Sequence, residues 1–338
     1  MAPPVHPRSF TRCITAWAMA LLLSFALSPG EASAAVESRS HLQCIVGLNK
    51  GAAKVMKAQG REVLSCIKSA SRERLLGTLE DCLTDDLKGK VAKELDKLAH
   101  TVGGFTSCQE VDPPGFGYSN ATTGWRASID KELRLVHSIF GSDLESGVIV
   151  TDKPGSKCQQ GVWKAVQKCQ DTKMKVFGSC KKNGLKGKVP PGLITSASEL
   201  QDACLGVGGA GMPDPRDKIA GKCLGGIRKA IGGKCGGLDT AALAALFPGC
   251  DGEPALFLCV EEKVECEVCR ALNEIDVLIR DCDEFDDGIA NGSCPDISLC
   301  GPCTSDSQCR VDLVCNAGDI CLQSCQCPLC AVCAGNCL

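Results

Sequence analysis

The chain is poor in aromatic residues and in histidine. Its 338 residues include three Trp, one Tyr, nine Phe and four His. Beyond the N-terminal leader described below, the histidines are His41, His100 and His137, and no H-E-x-x-H, G-x-S-x-G or C-x-x-C-H pattern occurs. The sequence offers no catalytic constellation, so we expect a non-catalytic protein. With so few aromatic side chains, covalent cross-links must supplement burial in stabilising the fold.

Long apolar runs are also missing beyond the N-terminus. Residues 1–34 resemble a signal peptide, with Arg8 and Arg12 before an uncharged apolar run at 14–27 and a small-x-small site that ends at Ala34. This pattern predicts cleavage near Ala34 and a secreted or periplasmic protein. No later stretch reaches about 18 apolar residues, so we expect no membrane span.

Cysteine, in contrast, is abundant. The chain has 27 cysteines, and removal of the leader with Cys13 leaves 26 in 304 residues. In an oxidising compartment, an even number at this density predicts disulfide bonds throughout the mature chain, with no cofactor.

The cysteines reveal an internal duplication. Two segments related by a shift of 114 residues share cysteine, glycine, lysine and serine positions without a gap. The shared positions are Cys44, Gly47, Lys50, Lys54, Ser65 and Cys66 in the first copy and Cys158, Gly161, Lys164, Lys168, Ser179 and Cys180 in the second. Farther along, Cys82 corresponds to Cys204 and Cys108 to Cys235. Each copy therefore holds four equivalent cysteines.

The second copy has two cysteines that the first lacks. Cys169 takes the place of Val55 and, allowing one gap, Cys223 takes the place of Leu95. Two apolar positions that change to cysteine together are explained most simply if they are in contact. A valine–leucine contact in the first copy would then be a disulfide in the second.

Helical geometry predicts which cysteines pair. The segments 159–177 and 216–231 are rich in Lys, Ala, Val and Ile without strand-like alternation, which indicates helices. Cysteines 11 residues apart lie on one face, because 11 residues exceed three full turns by only about 20°. If the helices run antiparallel with Cys169 opposite Cys223, Cys158 lies opposite Cys235 and Cys180 lies near Cys204. The predicted disulfides are Cys158–Cys235, Cys169–Cys223 and Cys180–Cys204, and by homology Cys44–Cys108 and Cys66–Cys82 in the first copy.

These patterns predict a mainly α fold of duplicated, disulfide-laddered helical hairpins. After the signal peptide at 1–34, we expect helical repeat 1 at 35–150, helical repeat 2 with an acidic helical extension at 151–294, and a small irregular cysteine-rich module at 295–338. Further helices are predicted at 126–140 and 254–281.

Charge divides the mature chain unevenly. Residues 35–235 carry a net charge of +10, and residues 236–338 carry −14. Two interpretations stay open: the basic part docks on the acidic part, or its lysine-rich helices bind an anionic polymer or protein.

Two resemblances concern the C-terminal half. The cysteines Cys309, Cys315 and Cys321, with the sequence TSDSQC at 304–309, resemble the short cysteine-rich modules of the Dickkopf amino-terminal type. The leader, the lysine-rich cysteine helices and the sequence CEVCRAL at 266–272 resemble a group of secreted cysteine-rich bacterial proteins of unknown function. The second resemblance implies a compartment and an architecture, without a catalytic residue.

The leading interpretation is a secreted or periplasmic disulfide-stabilised scaffold or binding protein with an unknown ligand. One alternative is a metal-binding protein, through copper or zinc on reduced cysteines or through calcium at an acidic loop. The candidate calcium ligands are Asp281, Asp283, Asp286 and Asp287, although Phe285 and Asp286 occupy positions where an EF-hand needs an oxygen ligand and a glycine. A second alternative is a thiol oxidoreductase that uses Cys266 and Cys269, which lack the expected βαβ context.

Overall fold

The computed structural model describes residues 38–103, 108, 113–148, 152–188, 192–206, 211–251, 255–289 and 292–294, together with two strands at 313–315 and 321–323. The predicted signal peptide lies outside the described residues, as does most of the cysteine-rich module.

The described part of the chain is mainly helical. Its first half contains the helices α1 (Arg39–Ala70), α2 (Leu79–Thr84), α3 (Lys90–Gly103), α4 (Ala121–Phe140) and α5 (Leu144–Val148). Its second half contains α6 (Lys153–Gly184), α7 (Ala197–Leu205), α8 (Lys218–Lys222), α9 (Leu224–Lys234), α10 (Thr240–Leu246), α11 (Leu256–Asp276) and α12 (Cys282–Asp287), with a 3₁₀ turn at Pro248–Cys250. The strands β1 (Leu313–Cys315) and β2 (Cys321–Gln323) pair antiparallel, with Cys315 opposite Cys321.

The two halves share an order of elements. The helices α1 and α6 both have 32 residues, begin 114 residues apart and are capped by Ser38 and Asp152, whose side chains accept backbone N–H groups of the first turn. The helices α4 and α11 also correspond: at a shift of 136, nine of the ten buried positions of α4 have a buried counterpart in α11. The correspondence thus includes a second long helix in each half.

The helices pack in two layers. The contacts place α3, α1, α6 and α9 side by side, because α1 packs on both α3 and α6 and α6 packs on both α1 and α9. The helices α4 and α11 pack on each other and cover one side of α1 and α6. Phe140, Trp163 and Phe247 lie buried in the core, with ring centroids 6.0 Å apart for the first pair and 5.7 Å for Phe140 and Phe247. The indole N–H of Trp163 donates to the Gly60 carbonyl at 2.9 Å and so ties α6 to α1.

Several helix boundaries differ from the sequence prediction. The helix predicted at 216–231 is divided at Cys223 into α8 and α9; this segment contains the poor helix formers Gly221, Gly225 and Gly226. The helix predicted at 126–140 begins earlier, at Ala121, because Asn120 provides its N-cap. The helix predicted at 254–281 ends at Asp276, where Val277 adopts a left-handed conformation. In the module expected to be irregular, β1 and β2 form a small sheet.

No helix in the described ranges combines the length and the hydropathy that a membrane span requires.

Candidate functional site: the basic face of α1 and α6

Eight disulfides join the cysteines of the described helical region. They include the five pairs that the sequence predicts, Cys44–Cys108, Cys66–Cys82, Cys158–Cys235, Cys169–Cys223 and Cys180–Cys204. The other three, Cys250–Cys259, Cys266–Cys294 and Cys269–Cys282, lie in the acidic extension. Their Cα–Cα distances are 4.3–5.8 Å, at or close to the usual range for disulfides. They make the helical region a covalently reinforced scaffold.

The Cys169–Cys223 disulfide distinguishes the second half from the first. It joins the middle of α6 to the break between α8 and α9, and both cysteines are fully buried. At the corresponding positions of the first half, Val55 is buried in α1 and Leu95 is partly buried in an unbroken α3. One hairpin is therefore held by three cross-links and the other by two.

A variant that gives the second hairpin the residues of the first should test this difference. Cys169→Val with Cys223→Leu is expected to fold, because the same residue types fill the corresponding positions of the first half. The free energy of unfolding should fall by about 2–4 kcal/mol through loss of a cross-link that closes a long loop. Urea unfolding without reductant measures it, and an exposed Ser179→Ala variant serves as control. Unchanged stability would contradict a structural role for this disulfide.

The structure separates the two cysteines of the candidate redox pair. Cys266 is bonded to Cys294 and Cys269 to Cys282, so the C-x-x-C spacing does not form a bond of its own. These two cross-links tie α11 to α12 and to the segment that follows it.

The acidic loop uses its carboxylates to hold backbone groups. Asp281 is the N-cap of α12 and accepts the N–H groups of Asp283 and Glu284 at 3.0 and 3.3 Å. The Asp283 carboxylate accepts the N–H groups of Gly292 and Cys294 at 2.7 and 2.9 Å. The side chains of Asp286 and Asp287 lie outside the described residues. The two described carboxylates thus stabilise the start of α12 and the segment after it. Asp281 begins a helix, although the sequence predicts that one ends there.

One group in the described ranges has the geometry of a metal site. The ligand atoms of Cys169, Cys223 and Glu261 all lie within 4.8 Å of one another. The two sulfur atoms are bonded to each other, and Glu261 forms an ion pair with Lys173 at 3.2 Å. A metal could bind here only after this disulfide is reduced, since thiolates are the ligands.

Exposed lysines form a line along α6. They recur at intervals of seven, four, seven and seven residues, and these spacings keep them within about 40° of one another around the helix. The line consists of Lys157, Lys164, Lys168, Lys175 and Lys182, all exposed. It extends over 25 residues, or about 37 Å at 1.5 Å per residue. Five positive charges therefore follow one edge of the helix.

The helix α1 carries a matching set. The positions that correspond to the last four lysines of α6 are occupied by Lys50, Lys54, Arg61 and Lys68. The first three of these are exposed. On this face the Asp171 carboxylate is already bound by Lys57. The nine other cations have no carboxylate partner within the residues described. The region formed by these nine residues is the basic face of α1 and α6.

The two lines of cations come close to each other where α1 and α6 pack. Burial lowers the pKa of Lys68, and the positive charges of Lys164, Arg72 and Lys88 lower it further. Positive charges thus repel at this point, and an anion bound beside Lys68 would relieve the repulsion. Electrostatically, the basic face favours an extended negative partner.

Other lysines of the basic part are buried and point away from this face. Lys173 pairs with Glu261 and Glu265 of α11, and Lys181 pairs with Asp276 at 2.6 Å. From α4, Lys131 pairs with Glu274 at 2.6 Å. The basic part of the chain therefore does dock on the acidic part, through three lysines that bind α11.

These buried lysines were not predicted from the sequence. Their positions on α6 contain a signal, because Lys173 and Lys181 lie about 160° and 120° away from the line of exposed lysines around the helix. Lysines that depart from the periodic face of a helix are candidates for internal ion pairs, because the opposite face packs on the core.

Comparison with family models, with curated proteins and with solved structures finds no match to this chain.

Proposed function

We propose that the protein is a secreted or periplasmic, non-catalytic binding protein whose basic face of α1 and α6 holds a linear anionic polymer, such as an acidic polysaccharide. The observation that supports the proposal most is the line of five exposed lysines on α6 beside its counterpart on α1. Its length of about 37 Å suits an extended chain with repeated charges better than a small anion.

The disulfides support this role through rigidity. Both helices of the basic face are cross-linked: α1 is bonded to α2 and to Cys108, and α6 is bonded to α7, to the break between α8 and α9, and to the end of α9. Cations fixed on cross-linked helices lose little conformational freedom in their backbone when they bind, so more of the electrostatic attraction contributes to affinity. A chain rich in disulfides also suits an oxidising compartment outside the cytoplasm.

Binding to size-defined heparin, used as a model linear polyanion, is expected to be salt-dependent and to require the α6 lysines. Lys164→Gln with Lys168→Gln should weaken binding about 10-fold at low salt. It should also reduce the slope of log K against log salt concentration by about two, one for each cation removed. Titration calorimetry at three salt concentrations measures both quantities.

The matched control removes two charges elsewhere. Arg74→Gln with Lys263→Gln changes the net charge equally, and neither residue belongs to the basic face: Arg74 lies after the end of α1 and Lys263 lies on α11. If both double variants weaken binding equally, net charge rather than the basic face is responsible. Absence of salt-dependent binding by the parent protein would refute the proposal.

Metal binding is the second candidate function, favoured by the arrangement of Cys169, Cys223 and Glu261. Thiol alkylation and intact mass, with metal analysis of the same sample, distinguish the two. Stoichiometric zinc or copper together with alkylatable thiols would favour metal binding, whereas fully bonded cysteines without metal would favour the scaffold.

A further inference from the structure

A cavity of about 510 Å³ lies among the helices α1 to α4 and the end of α11, apart from the basic face. It opens between the α2–α3 hairpin and α4, and its volume is within the range of small-molecule sites. Most of its wall is apolar. Its apolar lining includes Leu83, Val91, Leu95, Trp125, Ile129 and Leu133.

The cavity is related to the difference between the two hairpins. Space for a Cβ on Gly51 is taken by Leu98, so these residues lie directly opposite each other on α1 and α3. One turn farther along the antiparallel pair, Val55 comes opposite Leu95. In the second half, the Cys169–Cys223 disulfide draws the corresponding backbones to a Cα–Cα distance of 4.3 Å. In the first half, Leu95 is not tied to α1 and contributes to the cavity wall instead.

The carboxylates around the cavity already have partners. Lys131 binds both Asp130 and Glu274, at 2.7 and 2.6 Å. Asp86 accepts the N–H groups of Lys90 and Ala92 at the start of α3, both at 2.8 Å. A cationic ligand would therefore compete with existing contacts for every negative charge in the wall.

The remaining charge in the wall is positive. Arg126 is exposed, lies over the Trp125 ring at 5.5 Å and has no carboxylate partner among the residues described. We propose that this cavity binds a small apolar molecule with one negative charge, such as a medium-chain carboxylate. Its apolar body packs on Trp125 and Leu95, and its anionic group pairs with Arg126.

Two fluorescent probes that share a ring system test the charge preference. The oxidised full-length mature protein should bind 8-anilinonaphthalene-1-sulfonate about 5-fold more tightly than uncharged N-phenyl-1-naphthylamine, the scale of one partly exposed ion pair. Decanoate should displace either probe, and decylamine should not. Arg126→Gln should abolish the preference for the anionic probe. Leu95→Trp, which fills the cavity, should weaken the binding of both probes.

The basic face provides the control. Lys164→Gln with Lys168→Gln should leave the affinity for both probes unchanged, whereas it should weaken heparin binding. Each proposal can therefore fail without the other. Arg126→Gln changes an exposed side chain and keeps the experiment decisive even if Leu95→Trp does not fold. Equal affinity for the two probes, unchanged binding by Arg126→Gln, or loss of the anionic probe in the double lysine variant would overturn the proposal.

Discussion

Replacement of Lys181 by methionine is expected to lower the free energy of unfolding by about 3–5 kcal/mol, because it leaves a buried charge without its partner. The Lys181 ammonium donates to Asp276 at 2.6 Å, to the Gly117 carbonyl at 2.7 Å and to the Asn49 side chain. Burial raises the pKa of Asp276 and lowers that of Lys181, since each charge loses its hydration, and their mutual attraction opposes both changes. The ammonium thus joins α1, α6, α11 and the segment before α4.

The next residue of the same helix supplies the control. Lys182 is exposed on the basic face, so Lys182→Met should change stability by less than about 0.5 kcal/mol. In the double variant Lys181→Met/Asp276→Leu the unpaired carboxylate is also removed, and much of the lost stability should return. Urea unfolding at pH 7 with the disulfides intact measures all three. Equal stability of Lys181→Met and Lys182→Met would show that the buried pair does not stabilise the fold.

Replacement of Glu132 by glutamine is expected to stabilise the protein at alkaline pH. Glu132 lies fully buried in α4 against Gly60, where a Cβ would collide with its carboxylate. Neither carboxylate oxygen accepts a hydrogen bond of normal geometry from the described residues. The pKa of Glu132 is raised from 4.5 to about 8, chiefly by burial; the Gln170 amide opposes this change and the Asp171 charge reinforces it.

The sign of the pH dependence follows from proton uptake. Between pH 4.5 and 8 the folded protein keeps the Glu132 proton while the unfolded chain releases it. Folding therefore binds a proton, and stability falls as pH rises through this window. Glu132→Gln removes that loss. The free energy of unfolding of Glu132→Gln should exceed that of the parent protein by nearly zero at pH 4.5 and by about 4 kcal/mol at pH 8.

Unfolding at pH 4.5, 6 and 8 provides the measurement. The control is Asp96→Asn, which removes the charge of an exposed carboxylate on α3. Its stability should change with pH as that of the parent protein does. Burial also raises the pKa of Glu265 to about 8, with Lys173 opposing and Glu261 reinforcing the change. Some loss of stability with pH should therefore persist in Glu132→Gln. A variant no more stable than its parent at pH 8 would show that Glu132 is ionised without cost in the folded protein.

The sequence was sufficient for the cross-linking pattern of the two hairpins. Helical spacing and the paired change from Val55 and Leu95 to Cys169 and Cys223 specify an antiparallel register, and a register specifies which cysteines meet. It did not reveal the break at Cys223, because periodicity reports which face is buried and is insensitive to a local interruption of the backbone.

The sites depended on information that spacing within one helix does not contain. The basic face could be anticipated from lysines at helical intervals, but its two lines become one surface only because α1 packs on α6. The cavity is formed by residues of five helices, and its charge preference depends on Lys131 binding Asp130 and Glu274. These ion pairs and packing contacts join residues that are far apart in sequence, so no single stretch of sequence predicts them.

The eight disulfides fall into three consecutive sets, none of which shares a bond with another. A chain is synthesised from its N-terminus, so Cys108 can close on Cys44 before Cys158 has been made. Timing thus discourages wrong pairs between sets. Within the second set, four other cysteines are synthesised between Cys158 and its partner Cys235. Cys158 can bond wrongly to any of them, so thiol–disulfide exchange is most needed here.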